Sequence, residues 1–485
     1  MLIVGGGPAG SAILTRAVRL GYFSELCGCR GNSAGVCVVE KGPASRFGGG
    51  KLLDYEINSN TWGDKFATNV TKDKPNAMPP ESVTGTPLES LRQSEAGRML
   101  VEAGNSCVPL SLVGQFLTEA GQILKSSVDA FSSSRVLCDT AVREVRRVQL
   151  GEVGTSPTAA AGSVPSPARQ LWRVAIERKQ PATDSPDALF AEVVVFANGG
   201  VQPITRALHP VHSKKALSSD FVCTKQGVAV LLDMLSKSKP PTGGSATNKD
   251  RKIVIIGGSH SAFSAAWICL NKLDPQKVLF SSGSICLVHR SPVLVFYGSK
   301  RDAEVDGYTD IKHINRNGQI HPFGGIRGDA KQLFRHVRNG KETRVRMLLL
   351  KGGSEAPAAA KLMDEAAVVI WSCGYQTNAI PVRDVDGEDI RLQYSFGQVE
   401  VDDNARVLQE PPPEPLAPLD IYLYATGLGY GLQATFDNGE PDGSSGRADG
   451  VAVYLKRSAT LILSSVVGTK VYGDNATSWK ERIEQ

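Results

Sequence analysis

Leu2-Ile3-Val4-Gly5-Gly6-Gly7-Pro8-Ala9-Gly10 opens the chain as a short apolar run leading into G-x-G-x-x-G, with the helical stretch Ser11–Leu20 directly behind. Strand, glycine turn and helix in that order make a cradle for a dinucleotide pyrophosphate. Gly5 permits the tight turn, Gly7 lets the phosphates approach the backbone, and Gly10 lets helix and strand pack closely. Pro8 and Ala9 complete the turn, and the helix N-terminus offers unpaired amides and a positive dipole end. A second strand in GVCVVEKG ends at Glu40, whose carboxylate can accept from ribose hydroxyls, with Lys41 beside it. Glu40 stands 30 residues after Gly10, against the usual ~20. The excess reads as a surface insertion, LCGCRGNSAGV, between helix and strand.

Four more strand-like runs end in glycine-rich turns: Val193–Phe196 into ANGG, Ile253–Ile256 into GGSHSA, Val368–Trp371 into SCGY, and Ile421–Tyr424 into ATGLGYG. Such strands alternate with helical segments, the mark of βαβ units and parallel sheets, whose ligands bind at the carboxyl ends of the strands. The GGSHSA turn is a second dinucleotide motif with Gly257 in place. Ser259 stands where the middle glycine belongs, followed by His260 and Ser261, and Ala262 is the last small residue. Ser and Ala still allow close backbone approach. The next strand, SICLVHR, ends in His289-Arg290 rather than an acid. Arg290 suits a 2′-phosphate and therefore NADPH over NADH, the other reading being a solvated surface charge. His260 reads as a loop residue facing cofactor or solvent rather than as an acid/base catalyst. One motif with a ribose acid and one with a phosphate cation pair naturally as a tightly held FAD and an exchanging NADPH.

The 485 residues allow two to four domains. The 54 Lys+Arg against 49 Asp+Glu are evenly interspersed, with no basic block, so nucleic acid is not expected as a partner. No apolar run reaches the roughly 18 residues of a membrane span. Nine scattered cysteines favour reduced thiols in an intracellular, cytoplasmic setting. No C-x-x-C occurs, which argues against a dithiol centre, and no metal site is expected. Met1 sits almost inside the first strand, so a longer N-terminus with a targeting segment is compatible with the sequence. Gly151–Ala168, Ser236–Asp250, Lys351–Lys361 and Gln409–Pro418 read as linkers or surface loops by composition.

Together GGGPAG, VVEKG, GGSHSA and WSCGYQT (Trp371–Thr377) resemble the two-dinucleotide-binding flavoproteins, most closely the flavin-dependent monooxygenases of the N-hydroxylating and flavin-containing types. WSCGYQT is similar to the ATGY segment closing the nicotinamide domain there, and ANGG (Ala197–Gly200) to the crossover turn leaving the flavin domain. ALSSDF (Ala216–Phe221) is similar to the Ser-rich segment after that turn. FGGGKL (Phe47–Leu52) resembles the Gly-Gly turn under the flavin, so Gly49, Gly50 and Lys51 are implied to line it. YEINSNTW resembles the Asn-containing active-site stretch. Asn58 or Asn60 is thereby implied to hydrogen-bond near the flavin and the nicotinamide, the plain alternative being turn formation. The resemblance implies a cycle in which NADPH reduces FAD and a C4a-hydroperoxide formed with molecular oxygen oxygenates a small-molecule nucleophile such as an amine. Near the C-terminus, Gly427 belongs to the ATGLGYG turn, and Asp449 and Gly450 precede a helical stretch whose N-terminus could face the flavin. Tyr308, Asp310 and His313 read equally as site or surface residues.

The expected fold class is α/β, with two Rossmann-like dinucleotide-binding domains and the NADPH domain inserted in a discontinuous FAD domain. The expected boundaries are 1–240 and 379–485 for the FAD domain and 245–378 for the NADPH domain. The expected function is an NADPH-oxidising flavin monooxygenase. A flavin reductase or electron transferase without oxygenation, and a non-catalytic redox-sensing module, are the alternatives. Substrate and oligomeric state are not legible.

Overall fold

Two parallel five-stranded sheets organise the chain. The computed structural model describes residues 1–28, 35–77, 80–149, 170–180, 187–204, 208–238, 251–273, 278–315, 317–322, 324–350, 356–410, 422–430 and 450–467. The first sheet has the order Tyr422–Ala425, Val193–Phe196, Leu2–Val4, Cys37–Val39, Arg135–Leu137. It thus draws strands from both ends of the chain. Leu2 pairs with Cys37 and Val194, and Val4 with Val39 and Phe196. These runs are apolar without alternation because both faces are covered.

The second sheet runs Ala216–Ser218, Val368–Trp371, Ile253–Ile256, Ile285–His289, Val345–Leu349. A third, mixed sheet packs under the first: Thr140–Gln149, Gln170–Arg178 and Ala188–Ala191 run antiparallel, and Val382–Arg383 joins Thr140–Gln149 in parallel. The chain passes between the units twice, and the two crossings pair with each other. Gly200 faces Thr377 and Val201 faces Gln376 in an antiparallel ribbon.

The sequence placed the second unit's start at about 245, but the structure brings residues 216–237 into it. Ala216–Ser218 is the edge strand of its sheet, and Leu231 and Leu235 are buried in its core beside Ile253 and Ile255. Four residues apart on the helix Lys225–Lys237, the two leucines share one face, and each buried leucine stabilises by roughly 1.5–3 kcal/mol. The Pro/Gly/Ser tract read as a border therefore follows a helix that already belongs to the second unit. The tract at Lys351–Lys361 also departs from the expectation. From Ala356 it enters the helix Ala356–Glu365, because Ala is the strongest helix former. Of the other tracts, residues 151–168 and 411–418 lie outside the described residues.

The helix Pro8–Arg19 behind the first glycine turn is locked from below by one buried carboxylate. Glu81 takes Arg16 at 2.6 Å and Arg19 at 2.5 Å. Burial alone would raise its pKa, but the two guanidinium groups prevail and hold it at about 2. Arg19 also donates to the carbonyls of Val70 and Lys72 at 2.7 and 2.8 Å. Arg16 Nε donates to Thr460 Oγ1 at 2.8 Å, reaching the C-terminal helix. Among the described residues no helix is long and apolar enough to cross a membrane.

Candidate functional site

The carboxyl ends of the first sheet's strands open on a cleft of about 1070 Å³ between the two units. Gly5, Gly7, Pro8 and Ala9 form one wall. Their glycines serve different purposes. Gly5 has φ +105°, and a Cβ there would lie 2.4 Å from the Ala197 carbonyl oxygen. A Cβ on Gly10 would lie 1.9 Å from the Gly5 carbonyl oxygen, so Gly10 packs helix on strand and does not face the cleft. Gly7 is different, for a Cβ there would meet nothing within 4 Å. Protein packing does not demand this glycine, and the room before it is what a pyrophosphate on the helix N-terminus needs.

Glu40 pins the turn. Its Oε2 accepts the Gly6 amide at 2.5 Å and its Oε1 the Gly42 amide at 2.6 Å. Each carboxylate oxygen accepts two hydrogen bonds, so capacity for ribose hydroxyls is left. Lys41, Gly50, Lys51, Asn60, Gly427 and Gly450 also line the cleft. Gly450 is the residue just before the C-terminal helix, and a Cβ on it would meet nothing within 4 Å. Asp449 lies outside the described residues.

Two residues expected at the flavin stand outside the lining of the main cleft. Gly49 backs onto the long helix Leu110–Asp129, where a Cβ would lie 2.3 Å from the Gly114 carbonyl oxygen. Asn58 Nδ2 donates to Asp329 Oδ2 at 2.8 Å, joining the two units across a small side pocket. Its amide thus ties the two units together, whereas Asn60 is exposed at the cleft.

The second glycine turn sits at the edge of its sheet. Gly257 has φ +143°, and a Cβ on it would lie 2.7 Å from the Ser372 carbonyl oxygen. Ser259 is exposed at the start of the helix His260–Asn271, followed by the half-buried Ser261, while Ala262 is fully buried in the core. Ala262 therefore plays the packing part of the third glycine and does not touch the cleft. Arg290 is exposed just past the strand Ile285–His289, and His289 backs onto Gly258. Of this second set only His260 lines the main cleft. Its Nε2 accepts the Arg327 amide at 3.0 Å. Burial, reinforced by the Arg327 charge, lowers its pKa to about 4, so it is a neutral acceptor and not a proton donor.

Sequence reasoning missed the segment HPFGGIRGD (His321–Asp329). Pro322, Gly324, Gly325 and Arg327 reach the cleft from the second unit. His321 is fully buried with φ +46° and anchors the segment through Nε2, 2.9 Å from the Asp310 carbonyl oxygen. The Gly-Gly turn beside Arg327 was the available signal. Tyr308 is buried and donates to the Val293 carbonyl at 3.1 Å, so it is a packing residue. A second omission is the Asp220 cluster, where Lys51, Tyr55 and Tyr375 converge on one carboxylate in the cleft wall. Among the described residues no two cysteines form a disulfide, and none lines the cleft.

No protein-family model matches the chain. The CMP-5'-(3-aminopropyl)phosphonate hydroxylase of Streptomyces rubellomurinus (strain ATCC 31215) is 25% identical over 478 residues, covering 96% of this chain and 97% of the relative. Among solved structures, an ornithine N-hydroxylase from Kutzneria sp. 744, held with reduced FAD, NADP+ and L-ornithine, superposes with TM-score 0.53. It is 14% identical, over 97% of this chain and 99% of its own. The cadaverine monooxygenase of Erwinia amylovora, bound to FAD, gives TM-score 0.54 at 12% identity, over 97% of this chain and 95% of its own. The chain has the α/β fold of these two-domain flavoproteins.

Proposed function

We propose that the protein is an FAD-dependent, NADPH-oxidising monooxygenase that N-hydroxylates a primary amine on a small molecule, with molecular oxygen as co-substrate. The carrying observation is the single cleft onto which the Gly7 turn opens from one unit and His260 and Arg327 from the other. Both cofactor ends and a substrate could meet there away from bulk water. FAD fits the first wall: the space before Gly7 would take the pyrophosphate and Glu40 the ribose, and the helix behind Gly450 would offer its positive end to the ring. When bound, the flavin would supply a ring that accepts hydride from NADPH and passes electrons to oxygen. Arg290 suits the NADPH 2′-phosphate, and Asn60, exposed at the cleft, would hold the nicotinamide side. The relatives act, by name, on ornithine, cadaverine and an aminopropyl phosphonate conjugate, and all three carry an alkylamine.

The deciding experiment supplies the FAD-loaded protein with NADPH, oxygen and ornithine, cadaverine or 3-aminopropylphosphonate. Oxygen uptake, hydrogen peroxide and product mass are followed together. A product heavier by one oxygen atom, formed in step with NADPH oxidation, supports the reading. NADPH oxidation that yields only peroxide or reduces an added acceptor would replace it with the reductase. No reduction by NADPH would leave a non-catalytic module.

A further inference from the structure

Asp220 presents a carboxylate to the cleft with only 14% of its side chain exposed. Its backbone is fixed, because Gln202 Oε1 accepts the Asp220 amide at 3.0 Å and the Ser219 hydroxyl at 3.1 Å. Its two oxygens are served unequally. Oδ1 accepts the hydroxyls of Tyr375, at 2.8 Å, and Tyr55. Tyr375 follows the strand Val368–Trp371, and Tyr55 follows the short helix Gly50–Asp54 of the first unit. Burial first, and the neighbouring Asp220 and tyrosine groups next, push the Tyr55 hydroxyl far above its ordinary range. Burial and Asp220 do the same for Tyr375. Both stay donors at any working pH, and each is a stiff side chain with only two χ angles.

Oδ2 is paired with Lys51, whose side chain is 50% exposed. Lys51 sits on a flexible four-carbon stem with about 2 kcal/mol of rotamer entropy to regain on release. A largely buried carboxylate needs a cation, yet the cation supplied here is exchangeable, while the rest of the shell is rigid. Chemically, the Lys51 end group is a primary ammonium on an alkyl chain. The cluster therefore already binds, from within the chain, the chemical group that an alkylamine substrate would bring.

We infer that Asp220, oriented by Tyr55 and Tyr375, is the recognition site for the primary ammonium group of the substrate, which takes the place of Lys51 on Oδ2. This rests on the amine-hydroxylating reading for the identity of the ligand. The site selects alkylammonium over alcohols and amides, because only a cation compensates the buried charge. The nitrogen is held there as the ammonium.

The test is calorimetric titration of the FAD-loaded protein with n-butylammonium chloride and with n-butanol at neutral pH, without NADPH. The wild-type chain should bind the ammonium and not the alcohol. Asp220→Asn should weaken butylammonium binding at least tenfold, and Asp220→Glu should restore part of it. Lys51→Met should tighten butylammonium binding about threefold or more, since the internal competitor is gone. A merely structural Lys51–Asp220 tie moves that last value the other way. Equal binding of alcohol and ammonium, or unchanged or weaker binding in Lys51→Met, overturns the proposal. Because no turnover is read, butylammonium selectivity through Asp220 in a protein that never hydroxylates would sink the monooxygenase reading alone. Amine turnover with an unchanged KM in a folded Asp220→Asn protein would sink this one alone.

Discussion

At the first glycine turn, Glu40 reaches under the loop and grips the Gly6 and Gly42 amides, while Gly7 faces open space inside the cleft. At the second, Gly257 and Gly258 are hemmed in by Ser372 and His289, and the exposed Ser259 and Arg290 stand at the rim. The first turn is braced by a charge-assisted pair of hydrogen bonds and walled on several sides, which suits a ligand that stays. The second offers a helix end and a cation at the surface, which suits a ligand that comes and goes. Two similar motifs thus differ in their supports more than in their glycines.

The sharpest way to break this contrast is at the glycines themselves. Gly10→Val should abolish soluble folded protein, because its first added carbon lands 1.9 Å from a carbonyl oxygen. Gly7→Ala should leave the melting temperature within a few degrees, yet lower flavin content at least tenfold. A Gly7→Ala protein that keeps its flavin would refute the phosphate role of that turn. Next comes Glu40→Gln, which weakens two charge-assisted bonds worth roughly 1.5–3 kcal/mol each. It should raise the FAD dissociation constant about tenfold or more, measured as flavin lost on ultrafiltration. At the second turn, Arg290→Ala should raise KM for NADPH about tenfold and for NADH less than twofold. Equal changes for both would remove the 2′-phosphate assignment.

The smallest effect concerns pH. Burial and Arg327 hold the His260 imidazole at about 4, below its ordinary 6.5. The unfolded chain therefore takes up the proton first, and acidification favours it. The contribution of His260 is complete above about 6.5 and is lost as the pH falls towards 4. The melting temperature of the wild type should accordingly converge on that of His260→Ala through this window, by a few degrees. A constant gap between the two would show that the ring does not titrate as described.

Much of the architecture was legible because it is written locally. A β-branched run followed by glycines places Leu2–Val4, Val193–Phe196, Ile253–Ile256 and Val368–Trp371 at the positions read from the sequence. The phosphate-side glycines follow from the same local rule. What was not legible joins residues far apart in the chain. Lys51 meets Asp220 across 169 positions and Asn58 meets Asp329 across 271, and no periodicity records such meetings. Composition misled about 216–237, because the Pro/Gly/Ser tract that follows (Ser236–Asp250) marks an interruption but not the unit to which the preceding helix belongs.

The ribbon formed by Gly200–Val201 and Gln376–Thr377 carries a topological consequence. Cα atoms paired across antiparallel strands lie roughly 5 Å apart, so the chain leaves the first unit and re-enters it at almost the same point. To the host, the whole second unit is one oversized hairpin loop. A loop of that kind lengthens the connection without altering what its ends must satisfy, and closure entropy grows only slowly with loop length. The first unit can therefore carry such a guest, or exchange it for another, with its own strand order unchanged.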